Sequence, residues 1–314
     1  MPTRGILAYG AYVPYRRLDR ISITSVTGID AGSGYRSVAS FDEDTTTMGV
    51  EAARTALTGG APSPTALWFS TVHPAYLDKT NATTIHAALR LHRDVPAMDF
   101  GGAARSAVGA LRTALDSKGR TLGVAADLRI GLSGGSEESE GGDGAAAVLT
   151  GSSEDGPLLA HYLGGASVTS EFSDRCLRPG EAHSRVWEDR IGERAYAPLV
   201  ERAWAEALRV TGLQVDVVDR AVVTGLHRRA TERSAGALGV AIAEDLVSEV
   251  GNTGAAHPAL LLTHLLDRVD AESVVALVSL ADGCDVMLFR TTGALAAGRP
   301  LRSVASQVET RSDV

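Results

Sequence analysis

Residues 97 to 115 constrain the fold of this chain most tightly. Ala97 to Phe100 reads as a short strand, a tight turn follows, and Ala104, Ala107, Val108, Leu111 and Leu115 then fall on one stripe of a helix. A strand that turns directly into a helix is the geometry of a nucleophile elbow, which sets the first helical side chain at the mouth of the helix. Ala104 stands at that mouth, and alanine has neither a nucleophile nor a titratable proton.

The flanking sequence repeats a strand-then-helix grammar. Gly5 to Val13 is a predicted strand, Asp44 caps a helix with Met48, Ala52, Ala53, Ala56 and Leu57 on one face, Leu67 to Ser70 is a buried strand and Ala82 to Leu91 a helix. Leu122 to Ala126 and Ala145 to Leu149 close the first half as strands. After the glycine- and acid-rich stretch Gly134 to Gly144 the order recurs: strand Leu158 to Leu163, a helix started by Pro198, strand Ala221 to Thr224, a helix Ala259 to Leu266 opened by Pro258, and a hairpin of Val274 to Leu280 with Val286 to Arg290. Alternating strands and helices predict a layered α/β fold, divided as residues 1–155 and 156–314, with a polar, frayed tail from Gly298.

Bulk properties narrow the function. A formal net charge of -8 over 314 residues argues against general nucleic-acid binding, which needs clustered Lys and Arg. No stretch has the length or apolarity of a signal peptide or a spanning helix, so a cytoplasmic, membrane-free protein is expected. Cys176 and Cys284 build no disulfide framework, and no cluster with metal-ligand spacing is present.

Five segments, in order along the chain, carry a resemblance. They are the elbow around Ala104, the strand Gly142-Asp143-Gly144-Ala145, the strand Ala221 to Gly225 followed by His227, the turn Gly251-Asn252-Thr253-Gly254, and Ala281-Asp282-Gly283-Cys284. Together they resemble the thiolase superfamily, in particular hydroxymethylglutaryl-CoA synthase and ketoacyl-ACP synthase III. The resemblance implies a five-layered αβαβα fold of two pseudo-duplicated halves and an acyltransferase-type condensing enzyme. Such enzymes carry the acyl group on a Cys at position 104 and stabilise an enolate with a His and an Asn, here His227 and Asn252. The N–H groups of position 104 and of the Gly283 turn would form an oxyanion hole, with Cys284 lining the site. No metal or redox cofactor is implied; coenzyme A or phosphopantetheine is the substrate carrier.

Two departures stand out. Ala104 replaces the Cys, and Ser70-Thr71-Val72-His73-Pro74 resembles the archaeal-type synthase segment with Thr71 in place of its acid-base Glu, leaving His73 as candidate acid. Three explanations of Ala104 stay open: an engineered exchange of the nucleophile, a natural enzyme of Cys-independent aldol cleavage or enolate chemistry, or a catalytically silent subunit. Arg105, Arg228, Arg229 and Arg233 are expected as a basic rim for an acyl-CoA or an acyl carrier protein, or as solvated surface arginines. The resemblance also implies a homodimer through the edge near Ala97 to Phe100 and an OB-fold partner protein. Loops Ser25 to Val38 and Glu171 to Arg190 are expected to wall the pocket.

Overall fold

The computed structural model describes residues 2–178, 180, 181, 183–187 and 189–314. Nine strands build one sheet: β1 (Arg4–Tyr12), β2 (Ala66–Ser70), β3 (Ala97–Asp99), β4 (Thr121–Asp127), β5 (Gly144–Ser152), β6 (Ala160–Thr169), β7 (Arg220–Gly225), β8 (Val274–Leu280) and β9 (Gly283–Thr291). The helices that cover it are α1 (Thr45–Leu57), α2 (Ala82–Ala88), α3 (Ala104–Asp116), α4 (Asp189–Thr211), α5 (Arg228–Ala237) and α6 (His257–Leu266). Strand order is β7-β8-β9-β6-β1-β5-β4-β2-β3. β1 and β6 meet only at Gly5–His161 and Ile6–Ala160, so the ladder is almost divided between two runs of strands.

Side-chain alternation along the strands separates the layers. In β5, Ala145, Ala147 and Leu149 pack with Met48, Ala52 and Phe69 beneath α1 and α2, while Ala146 and Val148 face Leu111 and Leu260 of α3 and α6. In β8, Val275 and Leu277 join that central helix layer, whereas Val274, Ala276, Val278 and Leu280 pack with Tyr196, Val200 and Trp204 of α4. The result is five layers, αβαβα, with α3 and α6 enclosed between the two runs of strands. Their N-termini lie where β2 and β7 end, which places residues 71–73, 101–104, 226–227 and 251–256 in one region.

Local sequence explains the start of α1, where Asp44 accepts from Thr47 N and Thr47 Oγ1 receives the Asp44 N–H in a capping box. It also explains the closest backbone approaches. A Cβ on Gly5 would collide with the Ala160 carbonyl, and one on Gly142 with that of Val250, so both seams require glycine.

Several expectations need correction. Pro198 does not start a helix but lies inside the 23-residue α4, where it removes one N–H from the ladder without ending it. The strand expected at Leu158 to Leu163 runs instead over Ala160–Thr169, and α2 stops at Ala88, ahead of Arg90 at φ 54°. Segments read as loops contain helices Arg20–Thr27 and Ser136–Glu140 and strand Tyr35–Val38. Within the expected wall Glu171 to Arg190, residues 179, 182 and 188 lie outside the described ones.

The tail is docked rather than frayed. Helix Val304–Glu309 presents the buried Gln307, whose Oε1 accepts from Val13 N at 3.0 Å and whose Nε2 donates to Ala11 O at 3.1 Å, and Ser312–Asp313 pairs in parallel with Arg16 and Arg17. Gln307→Leu should therefore leave a buried N–H and C=O unmatched and lower stability by about 1–3 kcal/mol, measured by urea unfolding; an unchanged midpoint would show that the tail is held by other contacts.

Candidate active site

Ala104 is half-buried at the first turn of α3, preceded by exposed Gly101, Gly102 and Ala103. Among the described residues no side chain caps this helix; of its leading N–H groups, that of Ser106 donates to Ala103 O at 3.0 Å. Behind it, Ala107 packs with Ala125, Ala255, Ala256 and Val72, which joins the elbow helix, the 71–73 segment and the turn before α6.

One carboxylate ties these pieces together. Asp127, fully buried at the end of β4, accepts from Val72 N at 3.3 Å and Ala255 N at 3.0 Å, contacts His73 Nδ1 at 3.2 Å, and lies 3.5 Å from the Arg129 guanidinium. His73 is thereby oriented by its Nδ1, leaving the other ring nitrogen outward. Thr71 Oγ1 accepts from His73 N at 3.0 Å and supplies no carboxyl at this point.

Asn252 is fixed at both ends of its amide. Nδ2 donates to Gly225 O at 2.9 Å and Oδ1 accepts from Gly254 N at 2.9 Å. These bonds bind the Asn252 turn to the end of β7, two residues before His227. His227 itself is buried, its Nε2 3.0 Å from Asp174 Oδ2, and Tyr196 donates its hydroxyl to the same oxygen at 2.6 Å. Burial raises the Asp174 pKa, but the hydrogen bonds from His227 and Tyr196 outweigh it and hold the carboxyl below its usual range. His227 Nδ1 has no partner among the described residues and abuts Gly192, where a Cβ would lie 2.8 Å away.

A cavity of about 360 Å³ opens beside Asn252 and Gly225. Val223, Leu226 and Trp187 give it apolar walls, and Arg129 and Arg175 line it together with Glu137. Asn252 lines this cavity, and neither Ala104 nor His227 is among its lining residues.

Against curated proteins, the chain is 31% identical to a hydroxymethylglutaryl-CoA synthase of Thermococcus onnurineus over 227 residues, 69% of this chain and 65% of that protein. It is 30% identical to the hydroxymethylglutaryl-CoA synthase of Methanopyrus kandleri over 298 residues, covering 89% of this chain and 84% of the relative. The chain belongs to the hydroxymethylglutaryl-CoA synthase family. With the Thermococcus protein, as with several other relatives, the match spans just under two thirds of the relative's length. No family model matches. Among solved structures, a hydroxymethylglutaryl-CoA synthase complexed with CoA superposes with a TM-score of 0.83 at 16% identity over 99% of this chain and 88% of that one. The 3-oxoacyl-(acyl carrier protein) synthase III of Pseudomonas aeruginosa superposes at 0.77 and 19% identity, covering 92% and 98%. The fold is thus thiolase-like, as the sequence resemblance implied.

Within this family member the remaining expected residues separate. Arg105 is not part of a basic rim. Its Nε pairs with the buried Asp285 at 2.8 Å, Nη1 donates to Asp282 O and Nη2 to Ser167 Oγ, fastening α3 to the turn at Gly283. Arg228 pairs with Glu232 and lines the cavity, Arg233 pairs with Glu193 on the surface, and Arg229 also lies on α5. Cys284 faces the outer core with Val223 and Val286, and burial pushes its thiol up to about 12, so it is inert packing rather than site lining.

Sequence reading overlooked Asp127, Arg129, Glu137, Asp174, Arg175 and Tyr196. Only Asp127 had a local signal, a lone carboxylate at the end of an apolar strand. His257, read as a helix-end residue, is a buried cavity wall: Nδ1 receives the Thr253 N–H at 3.3 Å, and burial pushes its pKa down from 6.5 to about 4. In the unfolded chain this histidine binds a proton near pH 6.5, so between about pH 6.5 and 4 the unfolded state holds the extra proton. Stability from this group is complete above pH 6.5 and falls by about 3 kcal/mol as the pH approaches 4. His257→Asn should flatten the stability-against-pH curve in that window; equal slopes for both proteins would contradict the assignment.

Proposed function

We propose that this chain binds acyl thioesters and serves carbon–carbon bond chemistry of the Claisen or aldol type, with coenzyme A or an acyl carrier protein as carrier. The observation that carries this reading is the convergence of the uncapped α3 mouth, the Asp127-held His73 and the Asn252 turn beside a cavity. The thioester oxygen would receive helix N–H groups and the Asn252 amide, where charge develops as an enolate forms. His73, aligned by Asp127, would deliver the proton that the family pattern assigns to a Glu at position 71. His227, held by Asp174 and Tyr196, would stand behind Asn252 on the same strand end.

Ala104 forbids an acyl-enzyme at the helix mouth in the chain as it stands. Mixed with acyl-CoA or an acyl carrier protein, Ala104→Cys should show a mass increase equal to the acyl group, and the unaltered chain none. Failure of Ala104→Cys to acylate while folded and CoA-binding would remove the condensing-enzyme reading. His227→Ala in that background should leave acylation and abolish condensation. Turnover by the unaltered chain would instead assign Cys-independent cleavage.

A second reading, a silent subunit that supports a partner, is favoured by Ala104 together with the enclosure of His227 by Asp174, Tyr196 and Gly192. The edge strand β3, with Met98 and Asp99 exposed, would serve a homodimer, and an OB-fold protein is the further partner of this reading.

A further inference from the structure

The turn between β8 and β9 departs from ordinary backbone. Asp282 has φ 45° and Gly283 φ 133°, so two successive residues take left-handed values and only the second is glycine. A Cβ on Gly283 would lie 2.0 Å from the Val168 carbonyl oxygen and 3.0 Å from Arg105 Nη1. The turn is therefore pressed between β6 and the first turn of α3.

Arg105 ties these pieces to one another. Its Nε meets the buried Asp285 at 2.8 Å, Nη1 donates to Asp282 O at 2.5 Å, and Nη2 donates to Ser167 Oγ at 2.9 Å and Val168 O at 3.2 Å. One side chain, next in sequence to position 104, thus reaches β6, β9 and the turn. Arg112, about two helical turns deeper in α3, approaches the other Asp285 oxygen at 3.6 Å and Gly165 O at 3.5 Å, both away from the turn.

The opposite flank of the turn faces the group around His227. β7 and β8 run parallel with Gly225 opposite Leu280, so His227 and the turn lie at adjacent strand ends. The Asp282 carboxyl is held above its ordinary range, first by burial and then by repulsion from Asp174, the carboxylate bound to His227 and Tyr196, while Arg105 acts the other way.

We infer that Arg105 is a positioning residue, which sets the Asp282–Gly283 turn, and with it the group around His227, against the mouth of α3. The inference rests on the acyl-thioester reading above for its chemistry and on the contacts of Arg105 for its geometry. A planar guanidinium can spend separate N–H groups on a carboxylate, a hydroxyl and two carbonyls, which an ammonium on a flexible stem does not reproduce. Arg105 is not among the residues lining the cavity beside Asn252, so its effect falls on the placement of reacting groups rather than on binding there.

Hydrogen exchange of the full chain tests the tie without a substrate. Arg105→Gln and Arg105→Lys should each speed amide exchange in peptides covering residues 280–285 about tenfold, the scale of one lost hydrogen bond, and Arg112→Gln should not. Unchanged exchange in Arg105→Gln overturns the inference. In the Ala104→Cys background, acylation by acetyl-CoA is followed by the mass of the peptide carrying position 104. Arg105→Gln should lower the limiting rate about a hundredfold, the scale of a misplacement by about 1 Å, at an unchanged half-saturating concentration. Arg105→Lys should not restore the rate, and Arg112→Gln should keep it. Full rate in Arg105→Lys overturns the inference, because charge alone would then suffice, and full rate in Arg105→Gln overturns it by leaving the contacts a purely structural role. Absence of acylation with Arg105 in place would instead defeat the acyl-thioester reading, and the exchange pattern would still decide the tie.

Discussion

A single buried carboxylate organises the candidate site. Asp127 ends β4 with no exposure to water, and the groups that contact it are donors: two backbone N–H groups from different segments, the Thr71 hydroxyl, an imidazole and a guanidinium. Burying an unpaired carboxylate would be prohibitive, so those segments are drawn to it. Because Val72 and His73 come from the first run of strands and Ala255 from the start of α6, satisfying one side chain fixes the relative position of elements more than 100 residues apart in sequence.

The same logic spreads outward through charges that alternate in sign. Arg129 connects Asp127 to Glu137, Glu137 connects Arg129 to Arg175, and Asp143 holds the Arg129 backbone while lying 3.7 Å from Arg36. Burial raises the Asp143 pKa and lowers that of Arg36, so each is costly alone and tolerable only with the other. This network backs the cavity wall with rigid, preoriented groups. The helix mouth at Ala104 contrasts with it, being uncapped and open.

The layered fold was legible because its strands alternate so regularly. Ala145 to Leu149 and Val274 to Leu280 bury both faces, and the helix stripe at Ala107, Val108 and Leu111 matches an enclosed helix. Asn252 and His227 stand in short local patterns, and the structure ties the Asn252 turn to Gly225, two residues before His227. The residues that were missed act through long-range pairing, which no local pattern records. Arg175 meets Glu137 across 38 residues and Asp174 meets His227 across 53. Arg105 misled for the same reason: beside the elbow it reads as a surface cation, yet its partner Asp285 is 180 residues away. Pro198 misled by its usual place at helix starts, when the chain needed a longer α4 to cover β6 and β9.

Glycine at the two seams sets a limit on how this scaffold diversifies. With main chain resting on main chain at Gly5 and Gly142, neither joint can take a side chain unless a backbone segment moves. Variation in the cavity's shape is therefore left to its side-chain walls, on the segment that carries Arg175, Val186 and Trp187. Redesign of selectivity belongs there, where side chains rather than backbone define the wall.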